Sequence, residues 1–178
     1  MRYLLLLVAL ITSNAFAAPN FEETMAAAKQ GDADAQSRMG YAYAVGDGVL
    51  QDQSKALKWF KKAAKQGDTY AKFNLGIAFR RGLGTPKDLR TSYGWFLAAA
   101  VDGHPEAQSN LGVFYSQGMG IPENDVKAYV WLSMARTQGF TDASKNLVII
   151  KSDMTKQQIA EGQALAAQCY ESDYKDCD

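Results

Sequence analysis

The sequence predicts an all-α solenoid, a stack of helix–turn–helix units, and three observations carry that prediction. Glycine and tryptophan recur at one interval: Gly40, Gly76 and Gly112, Trp59, Trp95 and Trp131, Gly46, Gly82 and Gly118, and Gly48, Gly84 and Gly120 are each 36 residues apart. Gly31, Gly67, Gly103 and Gly139 extend the interval to a fourth position, as do Ala35, Ala71, Ala107 and Ala143. A fixed period of this kind marks a repeat architecture in which each repeat is one supersecondary unit. Within a unit, apolar residues fall at i, i+4 and i+8, the spacing of a helical face: Ala35, Met39 and Tyr43, then Ala71, Leu75 and Phe79, then Ala107, Leu111 and Tyr115. A Gly-x-Gly pair follows each run, and glycine accepts the left-handed conformation that closes a helix.

Taken in order, residues 1–17 read as a cleavable leader. Arg2 supplies a positive start, Leu4 to Ile11 is an unbroken apolar run of eight residues, and Ala15-Phe16-Ala17 has the small-x-small pattern of a cleavage site. A membrane span needs about 20 apolar residues, so the run is too short for an anchor, and no cysteine near the site offers a lipid acceptor. The expectation is an exported protein, periplasmic or secreted, with no membrane anchor after cleavage at Ala17.

Residues 18–170 are expected to form the solenoid. Residues 20–31 resemble only the second helix of a unit, with Asn20 placed to cap it. Full units follow at 32–67, 68–103 and 104–139. In each, a short polar loop carries Asp52, Asp88 or Asn124, and Pro86 and Pro122 resist helix continuation. The second helix then carries Ala56, Trp59, Phe60 and Ala63, with later copies Ser92, Trp95, Phe96 and Ala99, and Ala128, Trp131, Leu132 and Ala135. Small residues let two helices approach, and the large rings fill the space between stacked pairs. Residues 140–170 form a C-terminal cap: a first helix from near Thr141, carrying Ala143 and Leu147, and a last helix opened by the capping box Thr155-Lys156-Gln157-Gln158. Residues 171–178 are an acidic tail.

Composition narrows the chemistry. The formal net charge is zero, so there is no basic excess to neutralise phosphates, and nucleic acid is not an expected partner. The chain has one histidine, His104, at the start of a helix before Pro105 and with no nucleophile nearby in sequence. No catalytic residue, no metal site and no cofactor is assigned, because a triad needs its imidazole beside a nucleophile and a catalytic zinc site commonly uses several His or Cys ligands. The Gly-x-Gly pairs follow helices rather than strands, unlike a phosphate loop. Cys169 and Cys177 are the two thiols, and export favours pairing them; an intermolecular bridge and free thiols remain the alternatives.

The third unit reads Ala107-Gln108-Ser109-Asn110-Leu111-Gly112, then Gly118-Met119-Gly120, then Lys127-Ala128-Tyr129-Val130-Trp131-Leu132, and the first contains Lys55-Ala56-Leu57-Lys58-Trp59-Phe60-Lys61-Lys62-Ala63-Ala64-Lys65-Gln66-Gly67. Over roughly Phe21 to Ala167 the chain resembles the Sel-one-like repeat family, a branch of the tetratricopeptide-like helical repeats. The resemblance implies a right-handed superhelix whose first helices line a concave face. It implies a scaffold, adaptor or regulator rather than a shared reaction. Asn74, Asn110 and Asn146 share one repeat position on the first helices, with Arg38 in the first unit; Tyr41, Ile77 and Val113 recur one turn on. Stacked asparagines there can hold a peptide backbone, since each offers donor and acceptor, or can bond to neighbouring helices and maintain the stack. Arg38, Tyr41, Asn74, Asn110 and Asn146 are thus the candidate partner-binding residues. Arg80 and Arg81 have uncharged counterparts in the units on either side.

The expected function is an exported, non-catalytic protein–protein interaction module that binds a cell-envelope protein or peptide on its concave face. Toxin immunity is a specific form of that role. The alternatives are an envelope regulator or assembly adaptor, and a binder of cell-wall fragments or β-lactams with weak hydrolase activity. Family members linked to penicillin binding carry a cysteine pair in every repeat, and this chain has none within its repeats.

Overall fold

The computed structural model describes residues 20–177, so the leader predicted at 1–17 lies outside the described residues. Nine helices and no strands are present among them: α1 (Phe21–Gln30), α2 (Ala33–Val45), α3 (Gln53–Lys65), α4 (Thr69–Arg81), α5 (Leu89–Val101), α6 (Pro105–Ser116), α7 (Asp125–Thr137), α8 (Thr141–Asp153) and α9 (Lys156–Glu171). Consecutive helices pack on one another from α1 to α8, which makes the chain an all-α solenoid of helical repeats. The first helices of neighbouring units also touch, α2 with α4 and α6 with α8. They form the more closely spaced, inner layer.

Polar residues before each helix decide where it starts. Asn20 accepts from the Glu23 amide while Glu23 reaches back to the Asn20 amide, a complete capping box. Asp52, Asp88 and Asn124 are the N-caps of α3, α5 and α7, each accepting from the amide three residues on. The sequence shows these three only as loop residues; their regular spacing ahead of the tryptophans is the signal of capping.

The two helices of a unit are held together by a glycine facing a bulky side chain. A Cβ on Gly40 would stand 2.5 Å from Phe60 Cδ1, and one on Gly76 the same 2.5 Å from Phe96 Cδ1. In the third unit Gly112 faces Leu132. Phe96, Leu75, Leu111, Phe114 and Leu132 are fully buried along the core that results. Gly84 meets a second requirement: it has φ +69°, and its missing Cβ leaves room for the Gln53 carbonyl in the first turn of α3. The loop of one unit therefore rests on the second helix of the unit before.

The two helices of each unit are also joined by a polar pair that changes chemistry without changing place. In the first unit the Gln36 amide donates to the Ala28 carbonyl (3.2 Å), and Gln66 Nε2 donates to Gln36 Oε1 (2.9 Å). In the third, Gln108 donates to Ala100 (3.1 Å) and Gln138 Nε2 to Gln108 Oε1 (2.8 Å). The second unit has Lys72 and Asp102 at the same two positions, joined by an ion pair of 2.5 Å.

At the C-terminal end, α9 packs along α7, and Gly162 approaches Tyr129 closely enough that a Cβ would lie 2.8 Å from its ring. Trp131 is fully buried at this end, whereas Trp59 and Trp95 are only half-buried. The expectation that the tryptophans fill the space between pairs thus holds completely only at Trp131. Cys169 and Cys177 are joined in a disulfide with Cα atoms 4.5 Å apart. It folds the acidic tail back on the end of α9, where the Tyr174 amide donates to the Cys169 carbonyl (2.9 Å).

Two stability predictions follow from these contacts. Gly76→Ala forces the Phe96 ring out of place and is expected to cost about 1–3 kcal/mol, read from urea unfolding. An exposed control at Gly94, beside which an added Cβ meets nothing, is expected to lose no stability. Asp102→Gln alone leaves Lys72 without its partner and is expected to lower stability by about 1 kcal/mol; adding Lys72→Gln recreates the pair of the flanking units and is expected to restore it.

Candidate partner-binding face

The exposed side of the first helices opens into a groove of about 580 Å³ at the N-terminal end. Its walls come from α1, α2, the Gly46–Gly48 loop and the start of α4. The sequence-predicted residues Arg38 and Tyr41 both lie in it, one turn apart on α2. Tyr41 is 45% exposed and Tyr70, opposite it on α4, is 42% exposed. Phe21 completes the aromatic lining, and its ring packs edge-on to Tyr43 at 6.4 Å.

The groove is electrostatically mixed. Asp34, Asp47 and Asp68 line it with Arg38. Arg38 Nε lies 2.8 Å from Asp34 Oδ2, an exposed i, i+4 pair of the kind that adds little stability and leaves both groups available. Asp68 is already engaged: it caps α4 through the Ala71 amide (2.6 Å) and accepts from Ser37 Oγ (2.8 Å).

The asparagines are not brought into this groove. Asn74 donates to the Tyr70 carbonyl (2.9 Å) and Asn110 to the Glu106 carbonyl (2.7 Å), in each case four residues back in its own helix. Asn110 Oδ1 also accepts from Arg80 Nη1 at 2.6 Å, which ties α6 to α4. Arg80 lies 5.8 Å over the Phe96 ring, and its burial together with the neighbouring Arg81 charge pulls its pKa down from the ordinary guanidinium value. Of the two unit-specific arginines, Arg80 thus serves the stack. Asn146 sits half-buried on α8 at the far end.

Tyr70 was missed in the sequence, although a signal was there. It occupies the position held by Asp34, Glu106 and Asp142 in the other units, so an aromatic ring stands where the repeat otherwise places a carboxylate.

His104 is part of the stack. It takes the N-cap position of α6 without a side-chain cap bond, and its ring stacks on Phe73 at 4.4 Å. Its Nδ1 is 3.1 Å from Glu106 Oε2 without forming a hydrogen bond. Burial lowers its pKa below the ordinary imidazole value, only partly offset by the Glu106 carboxylate. Among the described residues, no group of three or more His, Cys, Asp or Glu is placed to hold a metal ion, and no helix is long and apolar enough to cross a membrane.

A stack of helix pairs with a groove on its inner layer defines a helical-repeat scaffold. The Sel1 repeat matches at residues 33–68, 69–104 and 105–140. The chain belongs to the Sel1 repeat family, whose members are generally protein–protein interaction modules built on a typically non-catalytic fold. It is similar to the crystal structure of a protective antigen present in uropathogenic Escherichia coli strains and displaying an SLR fold. That match has a TM-score of 0.80 and 32% identity over 89% of this chain and 35% of the antigen. This chain thus spans about a third of the antigen's length. It is also similar to a Sel1 repeat protein from Oxalobacter formigenes, with a TM-score of 0.65 and 36% identity over 71% of this chain and 95% of that one. No curated protein matches the chain.

The His104 environment predicts a pH dependence. The unfolded chain binds the imidazole proton more readily than the folded one, so the stability contributed by the neutral ring is present above pH about 6.5 and declines as pH falls below it. Urea midpoints at pH about 8 and about 5.5 are expected to separate more for the natural protein than for His104→Asn.

Proposed function

We propose that this protein is an exported, non-catalytic binding module of the cell envelope that holds a protein segment on its inner face, in the groove between α2 and α4. The observation that carries this reading is the pair of exposed tyrosines, Tyr41 and Tyr70, flanking Arg38 in the groove. Tyrosine and arginine are the residues that most often anchor a protein interface, because each combines a large contact surface with a hydrogen-bonding end. Export rests on the leader pattern of Arg2, the apolar run and Ala15-Phe16-Ala17. A blocker of a delivered toxin and an envelope adaptor both use such a groove, and the identity of the captured protein decides between them.

The test is affinity capture from envelope extracts with chain starting at Ala18. Arg38→Ala/Tyr41→Ala/Tyr70→Ala is expected to lose the dominant partner, and Asn74→Ala/Asn110→Ala/Asn146→Ala to keep it, because two of those amides are spent on their own helices. A partner held equally by the groove variant would remove the inner face from the reading. N-terminal sequencing of the protein recovered from cells is expected to begin at Ala18.

A further inference from the structure

The second helices form the outer layer, and one of them differs sharply from the others in charge. Helix α3 carries Lys55, Lys58, Lys61, Lys62 and Lys65 and no acidic residue. All five lysines are exposed. They surround Trp59 in a recess of about 420 Å³ lined by these six residues. Lys62 Nζ lies 4.1 Å from the centre of the Trp59 ring, a cation–π contact. Among the described residues the only ion pair made by these lysines is that of Lys55 with its own N-cap, Asp52, at 3.4 Å.

The same face occurs elsewhere in the molecule in a covered state. Two repeat periods on, α7 places Val130, Trp131, Ser133 and Met134 at the positions of Lys58, Trp59, Lys61 and Lys62. There α9 lies along the helix, and all four residues are buried. Ser133, Met134 and Thr137, the counterparts of Lys61, Lys62 and Lys65, line one pocket with Gln163, Ala166 and Tyr170 of α9, so the fold already contains a helix docked along this side of a second helix. On α3 the tryptophan is kept but only half-buried, and the flanking positions have changed from apolar or small to lysine.

We propose that the Trp59–lysine face of α3 is a second docking site, which takes an acidic amphipathic helix of a partner protein much as α7 takes α9. Trp59 receives an apolar side chain of the incoming helix, and carboxylates along its edges meet Lys58, Lys61, Lys62 and Lys65. Charge complementarity of this kind sets partner choice and encounter rate. A flat anionic lipid surface fits the face less well, because Trp59 is half-buried while the five lysines around it are exposed. The site shares no residue with the inner groove.

The probe is a labelled helical peptide of 16 residues, the length of α9, with leucines along one face and glutamates on its flanks. A counterpart carries lysine for glutamate. Fluorescence anisotropy with the full mature chain is expected to show the acidic peptide binding and the basic one not, with affinity falling as salt rises. Lys58→Glu/Lys61→Glu/Lys62→Glu is expected to weaken the acidic peptide by about tenfold or more and to bind the basic peptide instead. That exchange of preference also shows that the variant is folded. Trp59→Ala is expected to weaken binding of the acidic peptide without altering the preference for it. Equal binding of the two peptides, or acidic-peptide binding untouched by charge reversal, would overturn the proposal. So would binding to phosphatidylglycerol vesicles without binding to the acidic peptide, which would make the face a lipid contact.

Discussion

Everything in this fold hangs on the approach of a glycine in the first helix of a unit to a bulky side chain twenty positions later in the second: Gly40 to Phe60, Gly76 to Phe96, Gly112 to Leu132. Protein interiors are packed as densely as organic crystals, so a side chain at the glycine would have to be met by a shift of the whole second helix. That shift would be passed on, because the Gly84 loop rests on the first turn of α3 and the Gly120 loop on Leu89 and Arg90 in the first turn of α5. One local distance thus fixes the step from unit to unit. The period of 36 residues is its expression in sequence.

Once the spacing is fixed, the chemistry at a given repeat position is free to vary if its geometry is kept. The polar link within each unit shows this directly. Gln36–Gln66 and Gln108–Gln138 are neutral hydrogen-bonded pairs, and Lys72–Asp102 between them is an ion pair in the same place. The N-cap of the first helix varies too: Asp32 and Asp68 cap α2 and α4 through their side chains, while His104 and Phe140 do not cap α6 and α8. The third unit instead gains a ring stacked on Phe73. A burial-lowered imidazole pKa is the electrostatic cost of that exchange.

The fold was largely legible in the sequence because its determinants are periodic and local. Positions Ala35, Met39 and Tyr43 declare a face, and Asn20 and Thr155 declare helix starts through their partners three residues on. What was not legible depends on contacts between helices. The linking glutamines repeat in the first and third units but not in the second, where Lys72 and Asp102 look like ordinary surface charges until they are seen to meet. The asparagine position, by contrast, repeats well and suggested a peptide-holding ladder. Asn74 and Asn110 instead donate to carbonyls within their own helices, and Asn110 also accepts from Arg80. A side-chain amide bonded to the carbonyl four residues back is a local choice that spacing alone does not reveal. The groove was half legible: Arg38 and Tyr41 stood out by position, and Tyr70 by departing from the carboxylate found in every other unit.

Departures of this sort mark the surfaces on which the protein has options. A residue that repeats serves the stack, since every unit must solve the same packing problem. A residue that breaks the pattern on an exposed face answers to something outside the unit. Tyr70 does so on the inner layer, replacing a carboxylate with a ring. Lys58, Lys61 and Lys62 do so on the outer layer, replacing the residues that α7 buries under α9. Apart from the cation–π contacts of Lys61 with Phe79 and Lys62 with Trp59, these lysines are exposed, and like charges on neighbouring turns repel one another. Their clustering around the half-buried Trp59 is therefore unfavourable for the isolated molecule. A complementary charged surface laid across the face removes that cost, whereas burial by a neutral apolar helix would strand Lys58, Lys61, Lys62 and Lys65 without carboxylate partners.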